Sequence, residues 1–258
     1  MNERTGRVEG KAAIVTGAGS TPGPGIGTGK ATAVVLAREG ARVLLVDLHP
    51  ERAEETLQMI ESEGGEARVF GADVTKAAEC EAMVAAAVAA FGTVDILVNN
   101  VGLASLGTVV DLSEEAWDRA LDINLRSAFL ASKYAVPVMA EKGAGSIVNV
   151  SSISALRGDG TVAYSAAKGG LLALTVDMAY SHGRQGIRVN AIAPGFTLSG
   201  ENEKNMPQEQ QEWNIKIRML KRAQVPEDLV GTMVFLASDD SDFITGQTIS
   251  VCGGSIVH

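Results

Sequence analysis

The chain has 258 residues, 46% of them hydrophobic and 21% charged, a balance that lets a single α/β domain bury a large core. A formal charge of −9 and a pI near 4.9 argue against a nucleic-acid backbone or an anionic membrane as partner. Two distant cysteines, Cys80 and Cys252, make no disulfide framework. The start Met1-Asn2-Glu3-Arg4-Thr5 is polar and unlike a signal peptide, and no apolar run reaches the length of a membrane span; the expectation is a soluble, cytoplasmic protein.

Strand-like and helix-like segments alternate along the chain. A short apolar run over 12–15 leads into Thr16-Gly17, and a helix follows over 30–39. The β-branched run 42–46 ends at Asp47, and 51–63 has the charge pattern of an amphipathic helix. A short strand over 68–70 precedes Asp73, a helix spans 78–91, and a strand over 95–98 stops at Asn99-Asn100. Residues 114–140 read as one long helix with a kink at Pro137. Then come a strand over 146–150, a helix over 164–180, a strand over 187–192 ending at Pro194-Gly195, a helix over 227–237 and a last strand over 247–251. Short apolar strands each followed by a helix predict βαβ units, hence an α/β fold with a doubly wound parallel sheet of the Rossmann type in a single domain, 1–258. The polar stretch 199–222 is the exception. Trp213, Ile217 and Leu220 fall there at helical spacing, which suits either a helical flap or a plain surface helix.

The first strand runs into a glycine-rich turn with glycines at 17, 19, 23, 25, 27 and 29. Such a turn lets backbone amides and a helix N-terminus approach a pyrophosphate. Its setting matches the requirement: a strand before, a helix after and an acid about 20 residues on. Gly25-Ile26-Gly27 is one register. Gly27-Thr28-Gly29 runs without a gap into the helix and is the register adopted, so 21–26 becomes an insertion in the phosphate loop. Asp47 at the end of the second strand can accept from both ribose hydroxyls of NAD and repels a 2′-phosphate; a turn-capping role is the plainer alternative.

Tyr164 and Lys168 are four apart, which places both on one helix face. A cation beside a phenol lowers its pKa and suits it to proton exchange near neutral pH. Alone, the pair also fits a packed tyrosine beside a solvated lysine. Ser151-Ser152 just upstream, Asn124 and the glycine turn change that balance.

Taken in order, Thr16-Gly17 with its turn, Asp73-Val74, Asn99-Asn100-Val101-Gly102, Asn124, Ser151-Ser152, Tyr164 with Lys168, Pro194-Gly195 and Ile244-Thr245-Gly246-Gln247 resemble the short-chain dehydrogenase/reductase family over about residues 8–254. The resemblance implies that Tyr164 is the general acid/base, that Lys168 lowers its pKa and holds the nicotinamide ribose, that Ser152 holds the substrate oxygen, and that Asn124 holds a water in a proton relay. It implies cofactor contacts from Gly17, Gly27, Thr28, Gly29, Asp47, Asp73, Val74, Asn100, Pro194, Thr197 and Ser199, besides Tyr164 and Lys168. The implied activity is NAD-dependent interconversion of a secondary alcohol and a ketone. An NADPH-dependent 3-oxoacyl ketoreductase and a non-catalytic NAD-binding protein are the alternatives. The helices over 114–140 and 164–180 match those that pair across subunits in the family, so a homotetramer is expected, with a dimer second.

Some features depart from the family pattern or stand outside it. Ser152 precedes Tyr164 by 12 residues, one fewer than usual, and strand alternation turns Ser151 to the other face. Arg157 and Asp159 could line the pocket and meet a charged substrate group. Leu103, Ala104, Leu156 and Phe196 are candidate apolar walls. His49, His182 and His258 show no metal-ligand spacing.

Overall fold

The computed structural model describes residues 6–20, 25–200 and 207–257. Seven strands form one sheet: β1 Ala12–Thr16, β2 Arg42–Asp47, β3 Glu66–Gly71, β4 Ile96–Asn99, β5 Gly145–Val150, β6 Ile187–Pro194 and β7 Thr248–Val251. Their order is β3-β2-β1-β4-β5-β6-β7, and every pairing is parallel. The chain winds outward in one direction from β1 to β3 and in the other from β4 to β7. The reversal between β1 and β4 opens a crevice at the carboxyl ends of the strands.

The helices are α1 Thr28–Arg38, α2 Pro50–Ser62, α3 Ala77–Phe91, α4 Glu114–Leu121, α5 Ser127–Lys142, α6 Val162–His182, α7 Gln208–Lys216 and α8 Glu227–Ala237. Alternation along the strands divides the core in two. Ala13, Val15, Val43 and Leu45 face one way and pack with Leu36 of α1, Ile60 of α2 and Met233 of α8. Ala12, Ile14, Leu44 and Val46 face the other, against Met83 of α3, Met139 of α5 and Met178 of α6. Burial on both faces is why these strands are continuous apolar runs.

The structure departs from the sequence expectation in two places. β3 is longer than 68–70, because it pairs with β2 from Arg42↔Glu66 to Asp47↔Gly71; Glu66 and Gly71 carry no strand signal of their own. Residues 114–140 are not one regular α-helix. The α5 helix runs through Pro137, and the change of helix type falls at Asp122–Arg126, which is a π turn. After β6 the chain forms a helix within 199–222, as expected, and the Trp213, Ile217 and Leu220 stripe lies largely at its surface. The α7 helix ends at Lys216, Trp213 and Leu220 are exposed, and the buried side chains are Asn214 and Arg218. Residues 201–206 of the expected flap lie outside the described residues, as do 21–24 of the phosphate-loop insertion.

Candidate active site

The glycine turn is built by close backbone approach. Gly17 has a φ of 65°, in the left-handed region that favours glycine. A Cβ at Gly29 would stand 1.9 Å from the Gly17 carbonyl oxygen, so only glycine lets α1 pack on the end of β1. Gly27 is the N-cap of α1, with no side-chain cap and no acid in the first turn; its own N–H donates to Ser20 Oγ at 2.9 Å. The N–H groups of the helix start at Thr28 and Gly29 therefore remain to meet an anion. Asn100 holds this turn from the far side of the switch point. Its backbone N–H donates to Thr16 Oγ1 at 3.1 Å, and its amide donates to the carbonyls of Thr16 and Gly17 at 3.1 and 3.2 Å.

Asp47 ends β2 beside this turn. One carboxylate oxygen accepts from Gly19 N–H at 3.0 Å and the other from His49 N–H at 2.9 Å. A carboxylate has about four acceptor positions, so lone pairs remain. Arg52 crowds the same point: a Cβ on Gly19 would lie 2.7 Å from Arg52 Cβ. Asp73 accepts from the Thr75 N–H and hydroxyl, at 3.0 and 2.6 Å, and those bonds hold its carboxyl below the usual range. Val74 beside it is buried.

The second group of residues surrounds the ends of β4 and β5. Lys168 on α6 is 2% exposed; its Nζ donates to the Val150 carbonyl at 2.9 Å and lies 5.6 Å from the centroid of the Tyr164 ring. A Cβ on Gly102 would stand 3.0 Å from both Lys168 Nζ and Asn124 Oδ1, so Gly102, Asn124 and Lys168 share one point. Asn124 sits in the π turn, where its Oδ1 accepts from Leu103 N–H at 3.0 Å. Both amide hydrogens are committed as well, to the carbonyls of Leu103 and Ala120. π turns recur at functional positions, and here the turn carries Asn124 across to the loop after β4. Ser151 donates to the Lys168 carbonyl at 2.8 Å, whereas Ser152 donates to Ser154 Oγ at 3.1 Å and lies near enough to the Tyr164 phenol to act on its pKa. The two serines thus diverge as strand alternation requires.

The electrostatics differ from the sequence expectation. The Tyr164 phenol is pushed up, not down, by burial and by the Asp159 charge, against the lowering hydrogen bond from Ser152. Burial also pushes the Lys168 ammonium down, to about 8. The ammonium approaches the ring rather than replacing the solvation that both groups lose.

Sequence reading missed the hydroxyl chain behind Ser152. An ionised Asp159 only accepts. It takes hydrogen bonds from the hydroxyls of Ser154, Thr161 and Ser165, and Ser154 in turn accepts from Ser152 at 3.1 Å. The cluster of Ser, Thr and Asp between 152 and 165 was its signal. At the far wall, Pro194 ends β6, Thr197 donates to the Gly195 carbonyl at 3.1 Å and bridges to Gln224. Ser199 is half-buried at the edge of the described segment.

Lys168 yields a prediction about stability. In the fold its pKa is about 8 against 10.5 ordinarily. Between those values the unfolded chain keeps a proton that the folded one has lost, so stability rises with pH across that window. Lys168→Met should remove this rise and lift the melting temperature at pH 7 by roughly 2–4 °C. Calorimetry between pH 7 and 10 tests this, and a variant with an unchanged pH slope would contradict it.

Residues 24–255 match a family model described as enoyl-(acyl carrier protein) reductase. The 2-(S)-hydroxypropyl-CoM dehydrogenase 3 of Xanthobacter autotrophicus is 40% identical over 90% of this chain and 93% of its own. The 3-oxoacyl-[acyl-carrier-protein] reductase of Thermotoga maritima is 35% identical over 97% of this chain and 100% of its own. A crystal structure from Burkholderia xenovorans, of a protein named as a short-chain dehydrogenase/reductase, superposes with a TM-score of 0.92 at 39% identity, covering 97% of this chain and 98% of that one. With the parallel sheet, the glycine turn and the Ser152, Tyr164 and Lys168 cluster, these likenesses assign the chain to the short-chain dehydrogenase/reductase family of oxidoreductases.

Proposed function

We propose that the protein is an NAD-dependent oxidoreductase that interconverts a secondary alcohol and a ketone. The observation that carries this reading is the meeting of Ser152, Tyr164, Lys168 and Asn124 beside an uncapped glycine cradle at the carboxyl ends of the strands. The cradle fits a dinucleotide. Gly17, Gly27, Thr28 and Gly29 would hold the pyrophosphate, Asp47 the adenosine ribose, and Asp73, Val74 and Asn100 the adenosine side. Pro194, Thr197 and Ser199 would lie at the nicotinamide end. When bound, the nicotinamide supplies the hydride acceptor or donor.

The remaining chemistry belongs to this chain. Tyr164 Oη gives its proton to the ketone oxygen, or in the reverse direction takes one from the hydroxyl. Ser152 Oγ orients that oxygen by hydrogen bonding. Lys168 holds positive charge next to the phenol when protonated, and its bond to the Val150 carbonyl fixes where that charge lies. Asn124 holds the Leu103 backbone against Lys168, the point where a water relay would begin. Among the described residues no helix is long and apolar enough to cross a membrane.

A second reading is an NADPH-dependent 3-oxoacyl reductase. Its support is Arg52, which packs on Gly19 beside Asp47, together with the Thermotoga maritima relative. Asp47→Ala discriminates the two. On the NAD reading it weakens NAD binding about ten-fold or more and lets NADP compete, with Arg52 left to meet the 2′-phosphate. A cofactor preference unchanged by the substitution would remove the argument for NAD.

Reduced-nicotinamide absorbance with NAD and a panel of secondary alcohols tests the reaction. Tyr164→Phe should lower turnover by about 10²–10⁴-fold while NAD still binds; full activity in that variant would refute the assigned role.

The assembly expected of this reading is a homotetramer. Phe129 of α5 and Val176 and Tyr180 of α6 leave apolar surface exposed, Tyr180 at 88%, as an unpaired subunit face would. Light scattering should give about four times the 26.8 kDa chain mass; a clean monomer would show the expectation wrong.

A further inference from the structure

Among the described residues, Arg157 beside this site has an aromatic partner but no hydrogen-bond acceptor for its Nε. It follows Ser152 by five residues, and its backbone N–H donates to the Ile153 carbonyl at 3.0 Å, which keeps it within about one helical turn of the serine. Its guanidinium lies over the Trp213 ring of α7, 5.7 Å from the centroid. Arg157 and Trp213 therefore join two walls of the crevice, the loop after β5 and the segment after β6. Stacking occupies the face of the guanidinium and leaves its N–H edge for an acceptor.

No acceptor is present among the described residues. Arg157 Nε is buried with no hydrogen-bond partner. The nearest acid in sequence, Asp159, is already taken by the hydroxyls of Ser154, Thr161 and Ser165. A second guanidinium adds to the local charge. Arg218 is 2% exposed, donates to the carbonyls of Phe196 and Arg222, also has an unmet Nε, and is repelled by Arg157. A buried and a half-buried guanidinium, each with an unmet Nε, on a chain of net charge −9 run against the overall electrostatics. Unmet buried donors are costly unless a ligand completes them. Leu156 on the same loop, and Leu103 on the loop after β4, supply exposed apolar surface.

We propose that Arg157 is a substrate-specificity residue, and that the alcohol or ketone held at Ser152 and Tyr164 carries an anionic group, joined by a short apolar chain, that pairs with the Arg157 guanidinium. A carboxylate, sulfonate or phosphate shares the required chemistry, since each offers oxygens to the guanidinium fork. This inference rests on the alcohol–ketone reading for its reacting end, and on Arg157 alone for its charged end.

Binding is tested apart from turnover. A Trp117→Phe background leaves Trp213 as the sole tryptophan. Its fluorescence, with NAD present, is followed while pentanoate, pentanesulfonate, pentyl phosphate or neutral pentanamide is added. The expected result is a saturable change with at least one anion, ten-fold or more tighter than with the amide, and weakened ten-fold or more by Arg157→Met. Arg157→Lys should recover part of it. Equal responses to anions and amide, or affinity unaffected by Arg157→Met, would overturn the proposal. The kinetic arm compares 4-hydroxypentanoate with its methyl ester. Arg157→Met should raise the KM of the acid ten-fold or more relative to that of the ester. A parallel loss for both would make Arg157 only a latch on Trp213 and would also overturn it. Anion binding with no turnover of any alcohol or ketone would count against the oxidoreductase reading and leave the anion subsite standing.

Discussion

The site is organised around a buried cation. Lys168 lies almost wholly out of solvent, held by one carbonyl at the end of β5 and set against Tyr164, Gly102 and Asn124. An ammonium in that position is disfavoured by its surroundings, and its pKa falls to about 8 in consequence. The fold tolerates this because α6 is packed rigidly on the sheet through Met178 and Ala179, and because Ser151 ties the α6 backbone at Lys168 itself. A phenol pushed up and an ammonium pushed down are two groups whose protonation an incoming charged or polar ligand can move. That is the condition a proton-transfer site needs.

The other half of the site rests on steric exclusion. Gly29 against the Gly17 carbonyl, and Gly102 against Lys168 and Asn124, are places where any side chain would collide with backbone or with a working group. Asn100 ties the two halves together. It follows β4, the strand across the switch point, yet hydrogen-bonds the turn after β1. The crevice is therefore bounded by residues from strands that are neighbours in the sheet and far apart in the chain.

Charge is distributed unevenly around this crevice. The chain is acidic overall, but Lys168, Arg157 and Arg218 place cations along the walls, and Asp159 is occupied by hydroxyl donors. An ionised Asp159 also sets the direction of the hydroxyl chain. Ser154 donates to it and accepts from Ser152, so the Ser152 hydroxyl can donate to a ligand oxygen only by turning away from Ser154. In an acidic molecule such a local field sorts substrates more than it attracts them.

The sequence by itself determined the layered α/β architecture, because short apolar strands separated by helical periods can bury themselves only in a parallel sheet covered on both faces. It also singled out, by local signatures, the positions on which the proposed site rests: the glycine turn through Gly29, Asp47 at a strand end, Ser152 and Ser151 by alternation, and Tyr164 and Lys168 by helical spacing. Only the tertiary structure decided matters that depend on partners distant in the chain. The length of β3 comes from β2, not from its own residues. The π turn at Asn124 accompanies hydrogen bonds to Leu103, 21 residues away in sequence, and no helical propensity encodes it. Trp213 meets Arg157 from another loop, a contact that no local pattern encodes. The sign of the Tyr164 shift follows from how much water the packed fold removes from the phenol, compared with how close the Lys168 charge comes. Spacing along a helix says which side chains share a face; burial and distance are properties of the assembled molecule.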